Sequence, residues 1–459
     1  MNSFKPILVD SSCRWLPLCC FFLLAFGYLL QIFSPLRLNG DSATLLAMAV
    51  SAEQDHGYLV NGHSTQFPFG YPLVVKTLLQ THVANSMLLI ILNLVFLMVG
   101  LVAMRSCTKA IKVTGGFLLP MILVLSSWVM VKHVTIPLSE FLYVGVSLLS
   151  LQFVMLFWVQ SGDRKWWYLA LALFFGFVAL QCRTVGLSLF PVFIITVCLH
   201  QNTAPVRAWL VAQRRLLGAL AGGSIILVCG FWFWIRTTSW YELQFIGANS
   251  YGKTMQGIYQ GKTLAKVLGN SLYWFMLEFG TIFTNMPRHK FPQLRSIYLG
   301  WGILSWSMVL YGAWLLLRGR RLIPVVAYFC SYSLVMFLWA GHEERLWLPL
   351  FPVLAVLFLS AVDALMDRWP FLRYPFRSYL VIYVVLGAVS LGYSTRISLS
   401  GREFGEVFGD GTTRMTYRYA FKNGKKVDLS QVDQGSVRLL RIFEPLAKPA
   451  PSGNYGNSP

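Results

Sequence analysis

The sequence predicts an all-α polytopic membrane protein, and three observations predict it. Hydrophobic residues make up 56% of the 459-residue chain and charged residues 12%, with a mean hydropathy of +0.59. Soluble domains carry roughly 25% charged residues. The apolar residues gather into runs near the ~20 residues needed to cross a bilayer core. Lys and Arg gather between those runs, which accounts for a formal charge of +20, because cytoplasmic loops retain basic residues beside anionic lipid. Their scatter between spans, rather than on one face, excludes a nucleic-acid partner. The eight cysteines show no CxxC and no regular spacing, so neither a disulfide framework nor a zinc site is signalled.

The first run, Trp15 to Phe33, follows Lys5 and Arg14 as a signal peptide would. It is long enough to span, and Ser34-Pro35-Leu36-Arg37 follows it in place of a small-residue cleavage site, so it reads as an uncleaved span. Further spans are expected near Ser86 to Met104, Gly115 to Val131, Phe141 to Val159, Trp166 to Leu180, Val185 to Leu199 and Leu217 to Ile235. Tyr298 to Leu317, Leu322 to Ala340, Leu346 to Leu365 and Tyr379 to Tyr393 complete a bundle of about eleven. Arg105 with Lys109 and Lys112, Arg164 with Lys165, Arg207 with Arg214 and Arg215, Arg318 with Arg320 and Arg321, and Arg368 with Arg373 and Arg377 mark five inside loops.

That layout gives a membrane module over 1–394, with a first outward loop over 34–85 and a long outward segment over 236–296. Leu268 to Phe283 lies inside the long segment and is expected to be interfacial, since Glu278 at mid-bilayer would be costly. A small soluble tail follows over 395–459. Met415 to Phe421 alternates and Asn423-Gly424 suits a type I′ turn, so a hairpin is expected there, with a disordered end from Pro445. No internal repeat of the transporter kind is visible.

Much of the chemistry-capable polarity of the first half lies in Gly40 to Pro72, GDSATLLAMAVSAEQDHGYLVNGHSTQFPFGYP. Asp41 either caps the helix expected over Ser42 to Ala52 or offers a carboxylate that orients or deprotonates a hydroxyl at the membrane surface. His56 and His63 either line a cavity of this loop or are solvated, and Tyr71 closes the stretch. Glu140, in TIPLSEFLY beside His133, is either a second acid or, with Ser139, the opening of the next span. Arg183, in LQCRTVGLSLFP, either holds a phosphate bidentately or snorkels to the interface. His342-Glu343-Glu344-Arg345 precedes a span with prolines at 349 and 352 in its first turns, whose freed backbone groups need other partners. Three adjacent residues at a helix start do not converge on one ion, so no metal site is signalled there. No Walker A sequence and no strand-GxGxxG-helix unit is present.

The Asp41 loop with its Phe67-Pro68-Phe69-Gly70-Tyr71-Pro72 ending resembles the first outward loop of the GT-C superfamily of membrane glycosyltransferases. It looks most like the bacterial relatives of protein O-mannosyltransferases and of the lipid A aminoarabinose transferase. Glu140, Arg183 and Arg345 stand where those proteins carry a second acid, a basic element and an Arg-Tyr-Leu-Leu-Pro-like element. The likeness covers the first seven spans and the Arg345 element. It departs at Phe67 to Gly70, where the aminoarabinose group has a lysine in Phe-Glu-Lys-Pro and this chain has none; Lys76 lies beyond.

The resemblance implies a GT-C-like bundle and an inverting glycosyltransferase of the plasma membrane, its site facing outward. The donor would be a polyprenyl-phosphate sugar, and the acceptor a hydroxyl of a lipid, glycan or protein. Asp41 and Glu140 would be catalytic, with Arg183, Arg345, His56, His63, Tyr71 and His342 binding substrate or phosphate. No cofactor is expected. Two other classes remain open: a lipid-linked glycan flippase or transporter, and a glycan polymerase or ligase. Transporters place charge at mid-membrane and break spans at related places in two halves, whereas here the polarity gathers at one expected face.

Overall fold

A computed structural model describes residues 15–65, 67–111, 116–160, 165–199, 264–319, 322–339 and 343–447. The span expected over Leu217 to Ile235, His342, the first part of the 236–296 segment and most of the residues beyond Pro445 lie outside them. The first half comprises α1 (Trp15–Leu30), α2 (Gly40–Glu53), α3 (Gly70–Gln80), α4 (Ser86–Ile111), α5 (Leu118–Ser126) and α6 (Trp128–His133). It continues with α7 (Ser139–Val159), α8 (Lys165–Cys182) and α9 (Leu189–Leu199). The second half holds α10 (Leu264–Thr284), α11 (Arg295–Arg318), α12 (Ile323–Leu338), α13 (Phe351–Arg368) and α14 (Arg373–Ser398). Three short helices end the described chain: α15 (Phe404–Phe408), α16 (Gly411–Phe421) and α17 (Gln434–Phe443).

Six helices among the described residues, namely α1, α4, α7, α8, α11 and α14, are long and apolar enough to cross a membrane. Of the other expected spans, α9 and α12 are apolar but shorter, and the third is interrupted at Ser127. Helix α13 carries Asp363, Asp367 and Arg368 in its last turns. The outer helices present bare apolar flanks: Phe22, Leu23 and Phe26 on α1, Phe174 and Phe177 on α8, and Val381, Val385 and Val389 on α14 are all exposed. Water would not tolerate such a band, and lipid does.

Helices apolar on every side belong at the centre of such a bundle. Every residue of α13 from Phe351 to Val362 is buried, and so is every residue of α7 from Ser139 to Leu148. Both helices begin at the same end of the bundle, and the elements described below meet there.

Leu268 to Phe283 lies in α10, which runs antiparallel along α11. Gly280 faces the Tyr298 backbone, and Gly302 faces the Met276 backbone, an approach that side chains would forbid. The cost feared for Glu278 is met inside the bundle, where its carboxylate accepts a hydrogen bond from the Trp347 indole at 2.7 Å. Only 285–294 joins α10 to α11 at the site end. One expectation is corrected, the tail hairpin, because Met415 to Phe421 lies in α16. Thr416, Tyr417, Ala420 and Phe421 are its buried residues, a spacing that marks a helical stripe. Asn423-Gly424 follows a left-handed Lys422 (φ 46°) and ends that helix instead of turning a hairpin. The type I′ dipeptide acts elsewhere. Asn61 (φ 51°) and Gly62 (φ 77°) turn a two-residue ribbon, β1 (Leu59–Val60) against β2 (His63–Ser64), with Val60 opposite His63.

Candidate active site

The helix that follows α1, α2, is set by a capping box. Asn39 Oδ1 accepts from the Ser42 amide at 2.8 Å, and Ser42 Oγ accepts from the Asn39 amide at 2.8 Å. The cap is therefore Asn39, and Asp41 is left in the first turn of α2 with its carboxylate free for another role.

Glu140 follows a loop that Asn93 of α4 holds in place, its amide nitrogen donating to the Val134 and Ile136 carbonyls at 2.9 Å each. Asn285 does the same for the break between α5 and α6. Its Oδ1 accepts from the Trp128 amide at 2.7 Å, and its Nδ2 donates to the Ser126 and Tyr383 carbonyls at 2.9 and 2.7 Å. Interrupted helices persist in lipid only with such partners.

Arg183 sits between α8 and a 3₁₀ turn over Thr184–Ser188. The Phe-Pro-Phe-Gly stretch closes on it from the first loop. A side chain at Gly70 would meet the Gln181 carbonyl oxygen at 2.5 Å, so only glycine permits this approach. Gly70→Ala is expected to push α3 off the end of α8, lowering the thermal midpoint of the detergent-solubilised protein and widening the cleft beside Arg183. Unchanged melting and unchanged ligand binding would count against that role.

Arg345 lies in a 3₁₀ turn over Glu344–Trp347, immediately before α13. Four sequence-predicted residues from four separate elements meet here. The Arg345 guanidinium binds the Asp41 carboxylate through Nη2, Glu343 through Nε at 2.5 Å and Glu140 through Nη1 at 4.0 Å. Arg183 Nη1 reaches the same Glu140 oxygen at 2.5 Å. The Glu140 side chain is 3% exposed and that of Asp41 35%, so Glu140 is the buried anchor and Asp41 the accessible edge. Burial lowers the basicity of Arg345, but the Glu140, Asp41 and Glu343 carboxylates outweigh it and raise its pKa.

A cleft beside the cluster is lined by Asp41, Leu45, Phe67, Pro68, Glu140 and Arg183, with Leu138, Ser139 and Cys182 completing its wall. Tyr71 is buried nearby. Its hydroxyl has no hydrogen-bond partner among the described residues, and burial, then the charge of Glu140, raise its pKa. His133 is buried too, with Nδ1 2.8 Å from the Val129 carbonyl oxygen. Burial first, then Lys132, pushes its pKa down to about 3 and keeps the imidazole neutral at physiological pH.

The structure does not bring every predicted residue to this place. His56 and His63 are exposed and do not line the cleft. Glu343, which the sequence offers only as a metal ligand, is a third carboxylate on Arg345, while Glu344 pairs with Arg288 at 3.7 Å. No group of three His, Cys, Asp or Glu among the described residues is placed to hold a metal ion. Phe67, Pro68 and Cys182 also escaped the sequence reading as wall residues; the Phe-Pro pair was the available signal.

Fold and site together define an all-helical polytopic membrane protein with an acid–arginine cluster at one end of its bundle. No family model matches the sequence, and a search of the curated proteins found no match. Among solved structures, ArnT from Cupriavidus metallidurans bound to undecaprenyl phosphate is similar at 12% identity over 89% of this chain and 69% of that one, with a TM-score of 0.46. Its apo state is similar at 12% identity over 90% and 68%, with a TM-score of 0.45. A likeness of this size speaks neither to activity nor to ligand.

Proposed function

We propose that the protein is a GT-C-type inverting glycosyltransferase that moves a sugar from a polyprenyl-phosphate donor to an acceptor hydroxyl at the outer membrane face. The observation that carries the reading is the convergence of Asp41, Glu140, Arg183 and Arg345 beside one cleft. The acceptor oxygen attacks the anomeric carbon while the bond from that carbon to the phosphate oxygen breaks. The acceptor proton passes to the Asp41 carboxylate, and the bonding pair leaves with the polyprenyl phosphate. That leaving group needs no proton at neutral pH, so one base and a cationic cradle are a sufficient kit.

Arg345 and Arg183 form the cradle, and Glu140 between them holds both guanidinia at the right separation. A donor phosphate that seeks Arg345 competes with Asp41 for it. Exchange of phosphate for carboxylate thus couples donor binding to release of the base. No metal or cofactor is assigned a part.

Among the described residues, the buried Arg, Lys, His and Glu side chains Arg37, His133, Glu140 and Glu444 lie around the site end, Glu278 of α10 bonds Trp347 of the Arg345 turn, and Lys165 begins α8. That placement favours surface chemistry over passage of a polar cargo through the spans. The deciding experiment uses full-length protein in proteoliposomes with a panel of radiolabelled polyprenyl-phosphate sugars. Release of polyprenyl phosphate with label on an added acceptor supports the transferase. Movement of lipid-linked glycan between leaflets without such release would establish the transporter instead.

A further inference from the structure

The sequence leads one to expect a small soluble tail with a hairpin over 395–459. The tail is instead built into the approach to Asp41. Ser34 to Asn39, between α1 and α2, has no regular structure, yet Leu36 and Arg37 are 1% and 3% exposed. Buried backbone outside a helix needs partners from elsewhere, and residues nearly 400 positions downstream supply them. Glu444, directly after α17, accepts from the Leu36 amide at 2.8 Å. The Tyr417 hydroxyl on α16 donates to the Leu36 carbonyl at 2.5 Å and accepts from the Leu38 amide at 3.0 Å.

Arg37 ties the same turn to the end of α14, donating to the Ser394 carbonyl at 3.0 Å and to Ser398 Oγ at 2.7 Å. Its guanidinium lies over the Phe404 and Phe408 rings of α15 at 5.8 and 5.7 Å. The grip ends at Leu38, next to the Asn39 cap, and Asp41 is three residues beyond Leu38.

We infer that the C-terminal tail is the positioning device for Asp41: Tyr417 and Glu444 clamp Leu36 to Leu38 and so fix where the first turn of α2 presents its carboxylate. Tyr417 and Glu444 are positioning residues, since neither lines the cleft. Their part in transfer rests on the proposed glycosyltransferase reading, whereas the clamp itself does not.

The test is Tyr417→Phe, which keeps the ring packed against Phe404 (5.1 Å between centroids) and Phe421 (5.4 Å) and removes only the hydroxyl. Hydrogen exchange followed by mass spectrometry on the full-length protein in lipid needs no activity. Amides over 36–43 are expected to exchange about tenfold faster, the worth of one or two hydrogen bonds, with α7 and α13 unchanged. Glu444→Ala should repeat the effect, and Glu444→Gln, which keeps an acceptor, should reverse most of it. In the transfer assay kcat should fall about tenfold or more through misplacement of the base, with donor KM unchanged, and Tyr417→Phe should add nothing in an Asp41→Asn background. Unchanged exchange over 36–43, or a rise that stops before Asn39, overturns the clamp whatever the activity. Raised exchange with an unaltered kcat overturns the positioning of Asp41. A wild-type protein that transfers no sugar sinks the glycosyltransferase reading while the exchange result still decides the clamp.

Discussion

Asp41→Asn is expected to lower kcat for the proposed sugar transfer by about 10²- to 10⁴-fold, the usual worth of a positioned general base, while a polyprenyl phosphate binds more tightly than to the wild type. The two halves of this result have one cause. Asp41 is the accessible carboxylate of the cluster and is bound to Arg345, so on the proposed mechanism it leaves that guanidinium both to admit a phosphate and to accept a proton. The amide is isosteric, keeps the first turn of α2 and carries no charge to compete with the incoming anion. Binding of a polyprenyl phosphate by calorimetry or thermal shift, beside single-turnover transfer, separates the two effects. Weaker binding in the variant would show that Asp41 helps to hold the ligand and would remove the exchange step. A fully active variant would leave Asp41 with no part in proton transfer.

The second large effect is expected at Arg183. Truncating it to alanine takes the 2.5 Å partner from a carboxylate that is 3% exposed, leaving Arg345 at 4.0 Å as the remaining neighbour. Breaking a buried ion pair from one side typically costs about 3–5 kcal/mol because the other charge stays uncompensated. Arg345 holds the expected loss near the lower end. Arg183→Ala should therefore lower the thermal midpoint in detergent markedly, and Arg183→Ala with Glu140→Gln should recover most of it. The same double variant should still bind a polyprenyl phosphate roughly 10- to 100-fold more weakly than the wild type, the worth of a lost charged hydrogen bond. Stability restored together with full binding would make Arg183 a structural counter-ion only. Failure of Glu140→Gln to restore stability would show that Arg183 acts through contacts other than Glu140.

Which charged residues stand at helix junctions was largely legible in the chain, and which of them touch was not. Asp41, Glu140, Arg183 and Arg345 each stand at a visible junction between an apolar run and a polar one, and such junctions mark the ends of buried helices. His56 and His63 stand at a similar junction and carry the same donor chemistry, yet they point to solvent. Residue type and loop position do not encode the direction of a side chain. The tail hairpin failed for a related reason. Alternation over Met415 to Phe421 and an Asn-Gly pair are local signals, and the burial of Thr416, Tyr417, Ala420 and Phe421 on one face selected a helix over them. The same dipeptide at Asn61-Gly62 does turn a ribbon, where no helical stripe precedes it.

The sequence by itself determined the membrane class, the helical bundle and the identity of the charged residues gathered at one of its faces. These follow from hydrophobic run length and from turn and capping chemistry, which act over a few residues. Only the tertiary structure decided that Arg345 binds Asp41 across 304 positions and that Arg183 and Arg345 share Glu140. It also decided that α10 lies along α11 and that Tyr417 and Glu444 hold the approach to α2. Those contacts depend on where glycines let backbones meet and where buried polar groups find partners. Both are settled when the helices pack together.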